Sequence, residues 1–551
     1  MNKIGFKNFR RFQNFNPLDY SGITFLVGRN NAGKSTLVKA LLLIDNYFKV
    51  DPIESLSFGN NVLEDANIVT YGRAKNHQAQ ENYIKFTQEI ENYLIELTVT
   101  GENDKAFANV HLLSITDISR KLNFIFNIQN GFIRVVKYRE KQINNFNLEE
   151  KFILEELYDL NNQINKTNIQ LADPSLKKTS NEYIELLVMR EKLLLKSQNL
   201  EMNLKYFNDL KSVNSVVEKD EVLFSLDEDF GNLKSFSEIV DGFLRQSMLQ
   251  YEREFQNVQN GEQASERFED LRALKELEPA FIESSFSHFM TLMRNISIAY
   301  MGANPAKQSA LFAIRDKNNS LAQAIHEYKQ LNILEGEEEH RFVLKWMQVF
   351  EVGDDFSISM HAGEAYEMRI LSNNVRIHLA DKGMGSIQAM LLIMRIACVI
   401  KRIKLAEKNS TVNHVVDGKE LKQDSSNYGR INKTTVIIEE PELNLHPALQ
   451  SKLADLFLDV HQRFNIDFLI ETHSEYILRR SQVIVAENEF EVAPNENPFS
   501  VHYFPKDYDQ LPYRLDYQED GSFNRNFGDG FFDEASSSTL ELLKLKRQKK
   551  A

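Results

Sequence analysis

Hydrophobic and polar residues alternate with a period of two in two parts of the chain, and short polar turns separate the alternating segments. In the first part the segments begin at Tyr83, Tyr93, Phe107, Lys121 and Gly131. In the second part they begin at Phe356, Tyr366 and Val375. This alternation is typical of strands in antiparallel sheets. Residues 2–27 are predicted to add two strands around a turn at residues 17–22.

Three short and almost wholly apolar runs predict buried strands, at residues 23–27, 436–438 and 467–474. Apolar runs of helical length are found at residues 36–48 and between the turn at residues 383–386 and residue 400. Buried strands interleaved with helices indicate an α/β protein.

A different period begins near residue 148. Apolar residues first recur in steps of four, three and four, and after a break at Pro174 they recur every seven residues. Their positions are Ile153, Leu157, Leu160, Ile164, Leu186, Leu193, Leu200 and Phe207. The pattern predicts an antiparallel coiled-coil hairpin, with two ordinary core helices as the alternative. Residues 216–350 are predicted to be mostly helical.

Composition narrows the function classes. The chain has 551 residues, of which 42% are hydrophobic and 26% charged, as in globular proteins. Its net charge of −14 argues against broad binding of nucleic acid. A single cysteine, Cys398, excludes an internal disulfide and a cysteine-based zinc cluster. The apolar runs look too short to cross a bilayer, and the first residues lack a signal-peptide core, so we expect a cytoplasmic protein.

Residues 28–36 read GRNNAGKST and match the phosphate-binding P-loop. Gly28 and Gly33 let the backbone bend around an anion, Lys34 can reach the β- and γ-phosphates, and Ser35 can hold Mg²⁺. The predicted nucleotide contacts are Gly28, Arg29, Asn30, Asn31, Ala32, Gly33, Lys34, Ser35 and Thr36. A chance match on a turn is the alternative. It is disfavoured because a strand precedes the loop and a helix follows it.

Two acidic residues follow the predicted strand at residues 436–438, and a histidine lies at the end of the run at residues 467–474. Glu439 stands where a carboxylate can hold Mg²⁺, and Glu440 can orient and deprotonate the water that attacks the γ-phosphate. His473 can hydrogen-bond the γ-phosphate. The alternatives are an acidic pair that caps the next helix and a structural histidine.

Other residues have less specific signals. Gly383, Gly385 and Ser386 form a Gly-x-Gly-Ser turn before a long helix, which predicts a second anion-binding helix start. Two pairs remain open between a site role and an ordinary one: Gln78 and Gln80 (Mg²⁺ or water contact, or loop residues), and Arg10 and Arg11 (nucleotide contact, or solvated edge).

Together these motifs resemble the ABC-type ATPases of the SMC, Rad50, RecF and OLD group, over about residues 1–140 and 370–535. The resemblance implies ATP and Mg²⁺ as cofactors and Gly383, Gly385 and Ser386 as a signature loop that binds the γ-phosphate of an opposite subunit. It also implies a D-loop at residues 441–446 and His473 as the switch histidine. Glu439 replaces the more usual aspartate, and the signature loop reads GMGS without the leading serine of the common form.

The resemblance also suggests a division into domains. It consists of residues 1–145 (first half of the ATPase head), 146–213 (coiled-coil hairpin), 214–355 (helical insertion), 356–535 (second half of the head) and 536–551 (tail).

Among relatives in this group, size and architecture most resemble the PtuA ATPases of Septu and retron-Septu antiphage systems, whose partner is an HNH nuclease. Only about eighty residues follow His473, which argues against the Toprim nuclease domain of OLD proteins. Asp529, Asp533 and Glu534 are the alternative metal ligands there. The resemblance implies a homodimer, a larger assembly built through the hairpin, a separate nuclease, and a possible reverse transcriptase with its msDNA or RNA. The alternatives are a RecF-like DNA-repair ATPase, a nuclease in its own right, and an ATPase with a Toprim partner.

Overall fold

The structure is a computed structural model. It describes residues 2–49, 53–59, 63–64, 66–139, 221–231, 235–303, 307–410, 434–487, 497–506, 510–525 and 527, with isolated positions at 164–193 and 415–420. The chain divides into two compact units, Met1–Val135 with Asp227–Ala551, and Val136–Leu226. The predicted coiled-coil hairpin and the C-terminal tail fall mainly outside the described residues. The domain boundaries therefore stay a prediction.

Strands account for much of the described chain. They are β1 (Lys3–Phe9), β2 (Phe12–Asp19), β3 (Ile23–Gly28), β4 (Ser55–Ser57), β5 (Ile84–Ile90), β6 (Tyr93–Thr100), β7 (Phe107–Asp117), β8 (Leu122–Asn127), β9 (Phe132–Arg139), β10 (Glu221–Asp229), β11 (Ser297–Met301), β12 (Phe312–Ala313), β13 (Asp355–His361), β14 (Ala365–Ser372), β15 (Val375–His378), β16 (Val415–Val416), β17 (Lys419–Glu420), β18 (Thr434–Glu439), β19 (Ile466–Glu471), β20 (Phe499–Phe504) and β21 (Tyr513–Leu515).

Helices lie between groups of these strands along the chain. They are α1 (Lys34–Lys49), α2 (Tyr71–Ala74), α3 (Phe236–Gln259), α4 (Phe268–Glu276), α5 (Pro279–Asn295), α6 (Ser320–Gln330), α7 (Glu338–Val349), α8 (Met384–Ser410), α9 (Pro447–Phe464) and α10 (Glu475–Glu487).

A nine-stranded sheet runs in the order β10-β9-β8-β7-β6-β5-β1-β2, and β4 pairs with β7. Its neighbouring strands from β1 to β8 are antiparallel, as the alternation predicts. Buried aromatic rings of β8 and α5 pack against each other, with the Phe124 and Phe286 centroids 5.1 Å apart and the ring planes tilted by 56°. The predicted antiparallel β subdomain is therefore confirmed.

A six-stranded sheet carries the P-loop and runs in the order β11-β18-β19-β3-β20-β21. Its strands are parallel except at the β20–β21 edge. Parallel sheets need cover on both faces because their strands are apolar on both sides. Buried residues of α6 to α10 join those of β3, β18, β19 and β20 in one continuous core. The α/β class is confirmed.

A small sheet of β12, β14, β13 and β15 leads into the second predicted anion site. After β15 a 3-10 turn, Leu379–Asp381, places α8 directly against the main core. The described part of residues 216–350 is mostly helical, as expected, but it also contributes β10, β11 and β12.

Two expectations from the sequence are wrong. The chain turns at Arg10 and Arg11, between β1 and β2, so residues 2–27 hold three strands rather than two. Arg10 has φ of 49°, a turn conformation that the hydrophobic pattern does not reveal. In addition, Met384–Glu407 is long and apolar enough to span a membrane, but 72% of its most apolar window is buried, as in a core helix.

Candidate functional site

The candidate site lies at the carboxyl ends of β3, β19 and β18, which are neighbours in the parallel sheet. The P-loop leaves β3 and enters α1, and its two outer glycines are required by the backbone. Gly28 has φ of 144° and Gly33 has φ of 99°. A Cβ on Gly28 would overlap the Phe504 carbonyl oxygen, and one on Gly33 would lie 2.5 Å from the Phe12 ring. The loop therefore has the shape that the motif predicts.

Lys34 lies under the loop and is only 2% exposed. Its Nζ donates to the carbonyl oxygens of Gly28 at 3.0 Å and Arg29 at 3.1 Å, and lies 3.2 Å from His473 Nε2. Burial lowers the pKa of Lys34, and the Glu471 carboxylate opposes this shift. The ammonium group is thus held against the loop by backbone carbonyl oxygens and His473.

Glu471 was not predicted as a site residue, yet it contacts the P-loop directly. The Ser35 hydroxyl donates to Glu471 Oε2 at 2.7 Å, and Lys34 Nζ lies 3.6 Å from Glu471 Oε1. Glu471 ends β19, in register with Glu439 on β18. The only hint of Glu471 in the sequence is that it is an acidic residue at the end of an apolar strand, two positions before His473.

Glu439 lies one strand farther from the P-loop. Its pKa is raised to about 7 by burial and by the Glu471 charge, while Lys39, Tyr300 and the Ala303 backbone oppose the shift. Glu439 Oε1 is buried and has no hydrogen-bond partner. A buried carboxylate oxygen without a donor is costly unless a cation complements it. The donors present, Ser35 and Glu439, therefore fit Mg²⁺, which favours oxygen ligands.

Glu440 has a left-handed backbone, with φ of 49°. Its N–H donates to the Glu471 carbonyl oxygen at 2.8 Å, which joins the ends of β18 and β19. Its carboxylate oxygen Oε1 lies 4.0 Å from His473 Nε2. The strained turn therefore points the predicted base toward the predicted switch histidine.

His473 is held from two sides. Its backbone N–H donates to Glu442 Oε1 at 2.6 Å, while its ring faces Lys34. Burial, and then the Lys34 charge, lower the pKa of His473 to about 4. The imidazole is therefore neutral near pH 7 and can accept the Lys34 proton in a hydrogen bond.

A cavity of about 530 Å³ opens beside the P-loop. Its lining is strongly basic and consists of Arg10, Arg11, Asn31, Ala32, Gly33, Lys34, Ser35, Thr36, Lys39, Arg73, Asn76, His77, Gln78 and Glu471. Burial, and then the Arg10 charge, lower the pKa of Lys39 to about 8. Gln78 lines this cavity and Gln80 does not, although both are exposed. Volume and charge suit a polyphosphate ligand.

The structure does not bring the Gly-x-Gly-Ser turn to this cavity. Gly383 is exposed, and a Cβ there would meet nothing within 4 Å. Gly385 packs against the 441–446 segment, where its Cβ would lie 2.8 Å from the Asn444 carbonyl oxygen. The Ser386 N–H donates to the Gly383 carbonyl oxygen at 2.9 Å.

A family model described as an AAA ATPase domain, AAA_15, matches residues 1–478. The chain belongs to the AAA_15 ATPase family. The match includes the P-loop, both acidic residues and His473, so the chain has an ATPase domain with an ATP-binding site. A search of curated proteins found no match.

Solved structures similar to this AAA_15 chain include three of distant sequence. The Smc head domain with an extended coiled coil, bound to the C-terminal domain of ScpA, from Pyrococcus furiosus, has 9% identity and a TM-score of 0.33, covering 99% of this chain and 100% of that one. The SmcHead bound to the C-winged helix domain of ScpA has 8% identity and a TM-score of 0.33, covering 94% and 98%. The recombination mediator RecF-ATPrS has 9% identity and a TM-score of 0.27, covering 93% and 97%.

In the part of this AAA_15 protein that the structure describes, no group of three or more His, Cys, Asp or Glu residues could hold a metal ion by itself. The alternative ligands Asp529, Asp533 and Glu534 lie outside the described residues.

Proposed function

We propose that the chain is a Mg²⁺-dependent ATPase of the ABC type that closes into a homodimer around ATP. The observation that carries this proposal is the separation of two complementary half-sites. The P-loop, Glu440 and His473 lie together, whereas Gly383, Gly385 and Ser386 lie apart from the cavity and are partly open to solvent. An exposed helix start that can bind an anion is suited to the γ-phosphate held by a second copy.

Each residue of the P-loop half-site has a chemical role in this proposal. The loop amides and Lys34 bind the β- and γ-phosphates, and Ser35 and Glu439 hold Mg²⁺. The metal, when bound, neutralises charge on the phosphate oxygens. Glu440 accepts a proton from the attacking water, and the neutral His473 donates one hydrogen bond to a γ-phosphate oxygen. Arg10 and Arg11, which both line the cavity, add positive charge beside the phosphates.

Mixing two inactive variants tests the composite site. Lys34→Ala breaks phosphate binding, and Ser386→Glu places a negative charge where the partner's phosphate would approach. Each variant alone should be inactive. A one-to-one mixture should recover about a quarter of the wild-type turnover, because half of the random dimers then carry one intact site.

The double variant Lys34→Ala/Ser386→Glu, mixed with Lys34→Ala, is the matched control, since no dimer in that mixture has an intact P-loop. It should stay inactive. A one-to-one mixture of the single variants that shows no recovery, although the two proteins form mixed dimers, would place the whole site in one subunit and overturn the proposal.

We further propose that this ATPase acts in antiphage defence and gates a separate nuclease of the HNH type. The net charge of −14 supports indirect rather than broad contact with nucleic acid. The purified chain with Mg²⁺ and ATP should leave plasmid DNA and RNA intact, and it should co-purify with an HNH-type nuclease expressed beside it. Cleavage by the chain alone would instead establish a nuclease, and tight DNA binding without a partner would favour the RecF-like alternative.

A further inference from the structure

The side chain that contacts the P-loop hydroxyl belongs to neither predicted acid. Glu471 lies on β19, which separates the P-loop strand β3 from the Glu439 strand β18. Glu471 is 7% exposed and lines the cavity beside the P-loop, whereas Glu439 does not line this cavity. Its position places a carboxylate between the two groups to which the metal was assigned, Ser35 and Glu439.

The contacts of Glu471 indicate what it is placed to do. Its Oε2 accepts from Ser35 Oγ at 2.7 Å, whereas its Oε1 is 3.6 Å from Lys34 Nζ, beyond ordinary hydrogen-bond distance. Lys34 has closer partners in two backbone carbonyls and His473. Glu471 is therefore bonded to the metal-binding hydroxyl rather than serving mainly as the counter-ion of the lysine.

The acids Glu439 and Glu471 form a pair at one level of the sheet. They are in register on adjacent parallel strands, and Glu439 retains one buried oxygen without a hydrogen-bond donor. Lys39 lies four residues after Ser35 on α1, hence on the same helix face, and interacts electrostatically with both carboxylates. Two carboxylates in register on neighbouring strands, one of them hydrogen-bonded to the Ser35 hydroxyl, make an oxygen-rich position that a divalent cation complements better than a proton does.

We propose that Glu471 is a second carboxylate ligand, directly or through water, of the Mg²⁺ that accompanies the nucleotide, together with Ser35 and Glu439. The inference rests on the proposed ATP-binding function and deepens it. Without metal, Glu471 accepts a hydrogen bond from the Ser35 hydroxyl and keeps that hydroxyl oriented. With metal, the carboxylate and the hydroxyl oxygen face the same cation. Glu471 thereby makes nucleotide affinity depend more strongly on Mg²⁺.

The experiment compares nucleotide affinity with and without metal. A fluorescent, non-hydrolysable ATP analogue is titrated into the full chain in EDTA and then in excess Mg²⁺. Direct Mn²⁺ binding in the presence of ADP is followed by electron paramagnetic resonance. For Glu471→Gln, the Mg²⁺-dependent gain in affinity should fall at least about tenfold and Mn²⁺ should bind correspondingly more weakly, since a neutral amide is a poor ligand for Mg²⁺. Affinity in EDTA should stay within about twofold, because the phosphate-binding loop and Lys34 remain.

Two further variants make the result specific. Glu475→Gln removes the same charge four residues later, at an exposed position paired with Arg479, and should leave both affinities unchanged. Glu471→Asp keeps the carboxylate but shortens its reach, and should retain part of the Mg²⁺ dependence.

The possible outcomes separate the hypotheses. Equal changes of affinity in EDTA and in Mg²⁺ for Glu471→Gln overturn the proposal, because Glu471 would then only shape the P-loop. A variant that loses binding in EDTA overturns it for the same reason. Wild-type protein that binds no nucleotide at all would instead contradict the proposed ATPase function itself.

Discussion

The proposed P-loop half-site and the proposed signature half-site (Gly383, Gly385 and Ser386) differ in how far a single chain completes them. Lys34 is 2% exposed and hydrogen-bonded by groups of the same chain. Gly383, in contrast, is exposed. A Cβ atom at this position would have no described atom within 4 Å apart from its chain neighbours. The P-loop half-site is preorganised before a ligand binds. The signature half-site has small residues and exposed backbone, which suit contact with a second subunit.

The preorganised half-site contains two groups whose charged forms are disfavoured by burial. Glu439 has a raised pKa and an oxygen without a donor, and His473 has a lowered pKa because it is buried beside Lys34. Perturbed groups of this kind cluster at functional sites. Binding of metal and phosphate should therefore stabilise this half-site more than it stabilises the signature half-site.

The largest expected effect is on hydrolysis, through Glu440 in the P-loop half-site. Glu440→Gln keeps the side-chain volume but removes the proton acceptor. Turnover should fall by about 100-fold to 10,000-fold, the usual contribution of a general base. ATP affinity should be retained, and the closed dimer should accumulate. The measurements are single-turnover hydrolysis and sedimentation with ATP. Hydrolysis at the wild-type rate would show that another group accepts the proton.

Gly385→Ala should have the next largest effect, and chiefly on dimerisation. The new Cβ would lie 2.8 Å from the Asn444 carbonyl oxygen, so the 441–446 segment must shift. ATP-dependent dimerisation and turnover should fall at least about tenfold, while ATP binding by dilute monomer stays within about twofold, because the cavity is elsewhere. Analytical ultracentrifugation and equilibrium nucleotide binding measure the two quantities.

Gly59→Ala is the matched control for this substitution, because its Cβ would meet only the Ala106 methyl group at 3.9 Å. It should change neither quantity. If Gly385→Ala weakens ATP binding by the monomer as much as it weakens dimerisation, the two half-sites are not separate.

A smaller effect concerns stability without nucleotide or metal. Burial and the Glu471 charge raise the pKa of Glu439 from 4.5 to about 7 in the folded state. The protonated carboxyl therefore stabilises the fold below pH 4.5, and this stabilisation is lost as pH rises to about 7. The uncharged side chain of Glu439→Gln does not titrate, so the variant does not lose stability in this way. Relative to wild type, the variant should gain about 1–3 kcal/mol in unfolding free energy between pH 5 and pH 8.

Denaturant unfolding in EDTA at the two pH values measures this gain. His473 contributes with the opposite sign, since its lowered pKa makes stability rise with pH, but this contribution is common to both proteins and cancels in the difference. A variant-minus-wild-type difference independent of pH would show that Glu439 is not the titrating group.

The sequence could predict the parts of the site that short motifs encode. The P-loop, the two acids at the end of β18 and His473 occupy the predicted strand ends because local spacing fixes them. The Arg10–Arg11 turn was missed because β1 and β2 are both rich in phenylalanine and no glycine or proline marks the turn between them. Glu471 was missed because its contact with Ser35 spans 436 residues and depends on strand order. Strand order is set by packing of the whole sheet, which no local pattern contains.

The smallest expected effect on the isolated chain comes from Gly383→Ala, at the open end of the signature half-site. Among the described residues, no atom beyond the two chain neighbours of Gly383 lies within 4 Å of the new methyl group, so the unfolding free energy should stay within about 0.5 kcal/mol of wild type. Monomer affinity for ATP should also be unchanged, since Gly383 does not line the cavity. ATP-dependent association should nevertheless weaken several-fold, because the methyl group would stand where a partner's phosphate approaches. Sedimentation with ATP across a dilution series measures this effect. Unchanged association would show that the exposed face of Gly383 is not part of the dimer contact.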